Sequence, residues 1–186
     1  ALVRAVLERA QAPVVIDADA LHTGMAVLTA GDAARIFTPH PGEFRSAFPD
    51  LSDVLGTDRF SAAASAASAP TTTVLLKGVP TVIATAGRPL SIVAAGNPAL
   101  ATGGSGDLLS GFIAAFLARG LHPHEAGGLG AFALGRAAEL AASEQSVRTT
   151  RPADVLAAVP ELWQQLAEPP AFEPPILVEL PPPALV

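Results

Sequence analysis

Helix-like and strand-like segments alternate along the first part of the chain. Residues 2 to 10 carry apolar side chains at helical spacing, and PVVID at 13–17 follows as a short run rich in β-branched residues. The order recurs with a helix predicted over 19–29 and a strand, RIFTP, at 35–39, which Pro39 ends. Because parallel strands need a crossover connection, usually a helix, this alternation predicts a largely parallel sheet. The fold class is therefore α/β.

The middle of the chain continues this pattern and then changes it. Helices are predicted over 41–48 and 57–69, followed by a strand, TTTVLLKG, at 71–78. Two further strand-like segments, TVIATAG at 81–87 and PLSIVAAG at 89–96, come at hairpin spacing. The elements together predict a three-layer domain, with helices on both faces of a mostly parallel central sheet. In such folds ligands bind at the carboxyl ends of the strands.

The last part of the chain is predicted to be helical and then extended. Helices are expected over 106–119, which has one apolar stripe, over 123–143, and over 152–167 with a bend near Pro160. The closely spaced prolines of 168–186 favour an extended tail, docked through its ILV segment, Ile176 to Val178. We therefore expect one domain over 1–167 and a Pro-rich tail after it.

Composition excludes several classes of function. The net charge of −6, from 11 Lys and Arg against 17 Asp and Glu, provides no basic field for nucleic acid. The absence of cysteine excludes disulfides, thiolate zinc sites and cysteine nucleophiles. The most apolar stretches, 74–101 and 108–118, are interrupted by charged residues and prolines or are too short to cross a membrane. We expect a soluble, cytoplasmic protein with no nucleic-acid or membrane partner.

A glycine-rich loop, GNPALATGGSGDLLSG at 96–111, precedes the amphipathic helix. Its glycines permit positive φ angles, so that backbone N–H groups can converge on a phosphate at the helix N-terminus. The residues expected to bind it are Gly103, Gly104, Ser105 and Gly106. Asp107 is either a base that takes a proton from a hydroxyl attacking that phosphate, or an ordinary helix-capping residue. The loop is neither a Walker A loop nor a dinucleotide fingerprint, because it lacks their spacing.

A second candidate is LKGVPT at 76–81, where an apolar strand ends in Lys77. A lysine at a strand end is usually only solvated. Here it is expected at the same sheet edge as the glycine loop, where Lys77 and Thr81 could contact the phosphate or ribose of a nucleotide.

Two further motifs are expected at this edge. In TPHPGEF at 38–44, flanking prolines stiffen the backbone of His40, and Glu43 could hold a metal ion through water, although a lone histidine is most often structural. In VVIDADAL, Asp17 and Asp19 leave a buried strand. For these, an N-cap is as reasonable an interpretation as a role near the metal or substrate.

These four stretches together resemble the ADP/ATP-dependent NAD(P)H-hydrate dehydratases, the YjeF C-terminal type within the ribokinase-like superfamily. The matching segments are DADAL at 17–21, TPHPGEF at 38–44, LKGVPT at 76–81 and the glycine loop with its helix at 96–120. They match in order and approximate spacing. The resemblance extends from about residue 1 to about residue 167.

The resemblance implies a lyase of metabolite repair, which uses a nucleotide to restore NADH or NADPH from the hydrated S-epimer. The hydroxyl is phosphorylated and phosphate is then eliminated, typically with ADP giving AMP in bacterial members and ATP serving in eukaryotic ones. His40 and Asp107 would contact the hydrated dinucleotide. The adenine nucleotide would be bound by Lys77, Gly78, Val79, Pro80, Thr81 and Gly106. Mg²⁺ and a homo-oligomer, such as the tetramers known in the family, are also implied.

One departure from the family pattern concerns the N-terminal side. Members carry glycine-rich segments, including a GPGLG-like motif, before the DADAL strand, and none precedes it here. We therefore expect the domain to be N-terminally incomplete. Two other functions stay open: a ribokinase-like small-molecule kinase, and a non-catalytic nucleotide-binding fragment.

Overall fold

The computed structural model describes residues 2–29 and 31–167, and the tail predicted over 168–186 lies outside them. Within the described residues five strands form one sheet in the order β1-β2-β3-β4-β5. Their bounds are Val14–Ile16 (β1), Arg35–Phe37 (β2), Thr72–Leu76 (β3), Thr81–Thr85 (β4) and Ser91–Val93 (β5).

Four of these strands point in one direction. β1 pairs parallel with β2, and β2 with β3, whereas β4 is antiparallel to both of its neighbours, β3 and β5. The mostly parallel sheet and the hairpin after β3 are thus confirmed. One edge of the sheet collects the carboxyl ends of β1, β2, β3 and β5 together with the beginning of β4, and this edge positions the site.

The helices differ from the predictions mainly at their ends. Their bounds are Leu2–Arg9 (α1), Met25–Leu28 (α2), Pro41–Ala47 (α3), Ser52–Thr57 (α4), Arg59–Ala66 (α5), Ser105–Ala118 (α6), Pro123–Glu144 (α7), Pro152–Ala157 (α8) and Val159–Ala167 (α9). The continuous helix predicted over 19–29 is wrong. A 3₁₀ segment, Ala18–Thr23, stands there instead, because Gly24 at φ 83° separates it from α2.

Two other boundaries have clear causes. The helix predicted from 57 begins at Arg59, because the Asp58 carboxylate accepts hydrogen bonds from the N–H groups of Phe60 and Ser61. The bend predicted near Pro160 is confirmed as the break between α8 and α9.

The inner strands β2, β3 and β4 are buried on both faces of the sheet. Phe37, Val74 and Leu76 face a core that includes residues of α1, α3 and α5, whereas Ile36 and Leu75, on the other face, pack with residues of α6 and α7. The alternation follows from the two-residue period of a strand. The three-layer arrangement is therefore confirmed. Within the described ranges, no helix combines the length and apolarity that a membrane crossing requires.

Candidate functional site

Three strand ends meet at the ammonium group of Lys77. Its Nζ lies 2.9 Å from Asp17 Oδ1, after β1, and 3.3 Å from Glu43 Oε2, in α3 after β2. The backbone N–H of Lys77 also donates to the carbonyl of Pro39 at 2.8 Å. Residues separated by up to 60 positions are thus joined into one cluster.

Asp17 has a role that its position in the sequence left open. Its side chain makes no capping hydrogen bond to the 3₁₀ segment that follows. Instead Oδ1 accepts from Lys77, and Oδ2 lies 3.5 Å from Ser110 Oγ on α6. The carboxylate therefore faces the site between β1 and α6. Asp19 is exposed.

His40 and Glu43 form a reciprocal cap at the beginning of α3. His40 Nδ1 accepts hydrogen bonds from the N–H groups of Gly42 (2.9 Å) and Glu43 (3.1 Å), and Glu43 Oε2 accepts from the His40 N–H at 2.7 Å. Because Nδ1 accepts, a neutral His40 carries its proton on Nε2. That nitrogen lies 3.5 Å from Glu43 Oε1, on a side chain that is 55% exposed and therefore also accessible to a ligand.

The glycine loop enters α6 through a backbone conformation that favours glycine. Gly104, the residue before the helix, has φ 94°, and no side chain caps this helix end. Ser105 N–H donates to the carbonyl of Thr102, whereas the N–H groups of Gly106 and Asp107 find no acceptor in the part of the chain that the structure describes. Two such donors at the positive end of a 14-residue helix can bind an anion.

Gly106 brings this loop beside Lys77. A Cβ at position 106 would lie 3.3 Å from Asp17 Oδ2 and 3.8 Å from Lys77 Nζ. The ammonium therefore lies close to the beginning of α6. Asp107, one residue further on, is exposed, and its carboxylate has no partner among residues 2–29 and 31–167.

A cavity of about 600 Å³ opens beside this cluster, within the size range of small-molecule sites. Its lining comprises Lys77, Gly78, Val79, Pro80, Thr81, residues 93–98, Leu100, Ala101, Ser105, Gly106, Leu109, Ala131 and Leu134. All five residues of the predicted 77–81 segment are included. Gly103, Gly104, His40, Glu43 and Asp107 lie outside this lining, so the predicted site divides into a cavity and a more exposed rim.

Sequence reasoning missed how one wall of the cavity is held, the segment 93–98 at the end of β5 and the beginning of the glycine loop. The side chain of Glu139 on α7 accepts from the Gly96 N–H at 2.7 Å, and Asn97 Nδ2 donates to the carbonyl of Ala138 at 2.9 Å. The GNP sequence at the beginning of the glycine loop was visible, but nothing local indicated that α7 would hold it.

The sequence profile of the NAD(P)H-hydrate dehydratases matches residues 1–161.

The chain belongs to the NAD(P)H-hydrate dehydratase family.

A relative from Moorella thermoacetica, the bifunctional NAD(P)H-hydrate repair enzyme Nnr, is 39% identical over 170 residues. The match covers 90% of this chain and 32% of the relative. The chain thus spans about a third of the length of that bifunctional enzyme.

Solved structures agree with the family and the fold. The ADP/ATP-dependent NAD(P)H-hydrate dehydratase of Bacillus subtilis, co-crystallised with ATP and Mg²⁺, is 32% identical, with a TM-score of 0.75. The match covers 86% of this chain and 57% of the Bacillus subtilis chain. A ribokinase-like superfamily protein from Enterococcus faecalis is 25% identical with a TM-score of 0.68. The expected ribokinase-like fold is thereby confirmed.

Proposed function

We propose that this protein dehydrates the S-epimer of hydrated NADH or NADPH, with ADP as the phosphoryl donor, giving AMP and phosphate. One observation carries the proposal. In a chain of the dehydratase family, the Lys77 ammonium, the free N–H groups of Gly106 and Asp107, and a nucleoside-sized cavity share one edge of the sheet. That arrangement suits a nucleotide whose phosphates leave the cavity toward α6.

The cavity divides naturally between nucleoside and phosphate. Part of its lining is apolar, including the buried Leu109, Ala131 and Leu134, and suits an adenine ring. Its polar end carries Lys77, Ser105 and Gly106. The N–H groups at the beginning of α6 would stabilise the charge that builds up on the transferring phosphoryl group.

Asp107 would act as the base in the first step. Its carboxylate takes the proton of the substrate hydroxyl while that oxygen attacks the terminal phosphorus of ADP, and AMP departs. In the second step the carbon–oxygen bond breaks, phosphate leaves with the electron pair, and loss of a proton from the neighbouring ring carbon restores the double bond. The exposed position of Asp107, free of any partner in the described ranges, leaves it available to a substrate on the rim.

His40 would orient the hydrated nicotinamide. Its ring is fixed by the two N–H groups that Nδ1 accepts, so the direction of Nε2 is set before substrate binds. A hydrogen bond from Nε2–H to the substrate would hold its hydroxyl on the Asp107 side of the cluster. Glu43 keeps the histidine backbone in place by accepting its N–H.

The charges and donors at this edge fit Mg²⁺ bound mainly by phosphates and water. Asp17 and Glu43 outweigh the single charge of Lys77, and both offer the oxygen donors that Mg²⁺ prefers. Within the described residues no group of three metal-ligating side chains occurs, which agrees with a site completed by nucleotide and water. Glu43 would hold the ion through water. Bound there, Mg²⁺ would neutralise phosphate charge.

Recovery of the dihydronicotinamide absorbance tests this proposal. Hydrated NADH, Mg²⁺ and either ADP or ATP are mixed with the full protein and, separately, with residues 1–167 alone. Recovery that depends on nucleotide and is faster with ADP than with ATP supports the proposal as stated. Recovery with ATP alone would show that ATP is the phosphoryl donor. Nucleotide consumption with a stable phosphorylated alcohol would indicate a kinase instead. Nucleotide binding with no turnover by the full protein would indicate a non-catalytic module.

A homo-oligomer in the cytosol completes the proposal. Light scattering on the purified full protein tests the oligomeric state, with a tetramer as the expected result and a monomer as the contrary one. Fractionation of the source cells tests the location.

A further inference from the structure

Two aspartates two residues apart follow β1, and they differ sharply in their surroundings. Asp17 lies 2.9 Å from Lys77 Nζ, and its side chain is 17% exposed. Asp19 is exposed, and no hydrogen bond or ion pair joins it to the other residues of 2–29 and 31–167. The DADAL segment thus presents one carboxylate to the site and one to solvent.

Lys77 needs such a partner because of the length of its side chain. A lysine ammonium stands on four flexible methylenes, and fixing it in one position costs conformational entropy. Here the side chain is only 22% exposed and contacts two carboxylates on different elements, Asp17 after β1 and Glu43 on α3.

Asp17 determines on which side of the cluster the ammonium lies. Its second oxygen approaches Ser110 on α6, and the space beside Gly106 is bordered by both Asp17 Oδ2 and Lys77 Nζ. Without the charge at Asp17, Glu43 would be the remaining anionic partner and would draw the ammonium toward α3. The free N–H groups of α6 would then act on a phosphate without the lysine beside them.

We propose that Asp17 is a positioning residue, which acts through Lys77 by holding its ammonium next to the glycine loop, where it meets the phosphates of the bound nucleotide. The inference deepens the proposed function and rests on it for the identity of the ligand. It assigns Asp17 a part in phosphate recognition although its own charge repels phosphate. Removal of the Asp17 charge should therefore weaken ADP binding if the residue positions Lys77, and tighten it if the residue only repels phosphate.

The test compares Asp17→Asn with Asp19→Asn in the full protein by calorimetric titration with ADP and with adenosine. Asp17→Asn should weaken ADP binding roughly 10- to 100-fold, the range for a lost charge-assisted hydrogen bond, and leave adenosine binding unchanged. Asp19→Asn should change neither. Tighter ADP binding by Asp17→Asn would show that the carboxylate only repels phosphate, and equal effects of the two variants would show a general charge effect. Either result overturns the proposal.

A double-mutant cycle tests whether Asp17 acts through Lys77. In a Lys77→Met background, Asp17→Asn should no longer weaken ADP binding, because the group it positions is gone and only the repulsion between the carboxylate and phosphate is removed. A loss as large as in the wild-type background would mean a direct role and overturn the proposal. Asp17→Glu keeps the charge and should retain most of the affinity. If Asp17→Asn lowers the unfolding temperature, this charge-conserving variant decides: a loss of ADP affinity as large as that of Lys77→Met would contradict positioning by charge.

These binding measurements distinguish a failure of the positioning role from a failure of the proposed reaction. Failure of the dehydratase assay with Asp17-dependent ADP binding intact would overturn the reaction and leave the positioning role. Turnover of hydrated NADH with ADP affinity insensitive to Asp17→Asn would support the reaction and overturn the positioning role.

Discussion

The guanidinium of Arg59 lies directly behind Gly78. Its Nη2 donates to the carbonyl of Lys77 at 3.1 Å, and a Cβ on Gly78 would lie only 2.5 Å from the same nitrogen. Burial lowers the pKa of Arg59 below its ordinary value, although the group stays charged. Arg59, in α5, therefore supports the backbone at residues 77 and 78, and the same two residues line the cavity.

Gly78→Ala should weaken nucleotide binding and lower stability. Gly78 has φ 146°, which an L side chain rarely adopts, and the added methyl would displace Arg59 from the carbonyl it supports. We expect a loss of about 1–3 kcal/mol in the free energy of unfolding, as for other strained backbone positions. Denaturant titration and ADP calorimetry measure the two effects.

Gly56→Ala is the matched control for this variant, since a Cβ there meets nothing within 4 Å. It should leave ADP affinity unchanged. Equal behaviour of the two alanine variants would contradict the close approach of Arg59.

Asp107→Asn should abolish most of the turnover while sparing nucleotide affinity. The carboxylate is exposed in the first turn of α6, where its loss costs stability only through the helix dipole, about 0.3–1 kcal/mol. Loss of a general base typically lowers kcat by about 10²- to 10⁴-fold. The absorbance assay and ADP calorimetry on the same preparation check this split. A parallel collapse of ADP binding or of folding would instead favour the helix-capping role.

Gly135→Ala should deform the cavity wall from the opposite side. A Cβ at this position of α7 would lie 2.5 Å from the carbonyl oxygen of Ala95, a backbone atom with little freedom to move. Overpacking of this kind costs about 1–3 kcal/mol, and the displaced 93–98 segment should also bind nucleotide less well. Thermal unfolding with and without ADP measures both.

Gly128→Ala, in the same helix, provides the comparison, because its Cβ would enter open space. Alanine there should raise stability by about 0.5–1 kcal/mol through helix propensity. Equal destabilisation by both variants would argue against a specific contact with Ala95.

A buried histidine ties the β4–β5 hairpin to α7. His124 Nδ1 lies 3.0 Å from Thr85 Oγ1, and Nε2 lies 2.8 Å from Ser91 Oγ. The two hydroxyls can satisfy a neutral imidazole, one as donor and one as acceptor. Burial lowers the pKa of His124 below 6.5; the nearby Glu125 charge opposes this, while Arg88 and His122 act in the same direction as burial.

Stability should therefore fall as the pH decreases below about 6.5. The unfolded chain binds a proton at His124 at a higher pH than the folded chain does, so its contribution is present above that pH and is lost on acidification. Unfolding temperatures measured between pH 8 and pH 5 check this, with His124→Gln as the comparison. An unchanged pH dependence in the variant would assign the effect to other groups.

Local pattern was sufficient for the architecture and for the location of the motifs. The alternation of PVVID, RIFTP and TTTVLLKG with helical segments predicted the parallel strands, because strand and helix periods are local properties. Where the pattern was insufficient, a single residue decided: Gly24 ends the 3₁₀ segment that was predicted as helix.

For the candidate site as well, some residues could be predicted from local pattern and others depended on tertiary contacts. Sequence alone predicted the 77–81 segment and the glycine loop, of which Ser105 and Gly106 line the cavity, since a strand end and a glycine-rich helix entry are recognisable within a few positions. Only the tertiary structure decided that Asp17 faces Lys77 while Asp19 faces solvent, that Arg59 supports Gly78, and that α7 holds the wall at Gly96. Each of these contacts joins residues 18 to 60 positions apart, and such pairing depends on how the layers pack rather than on any local preference.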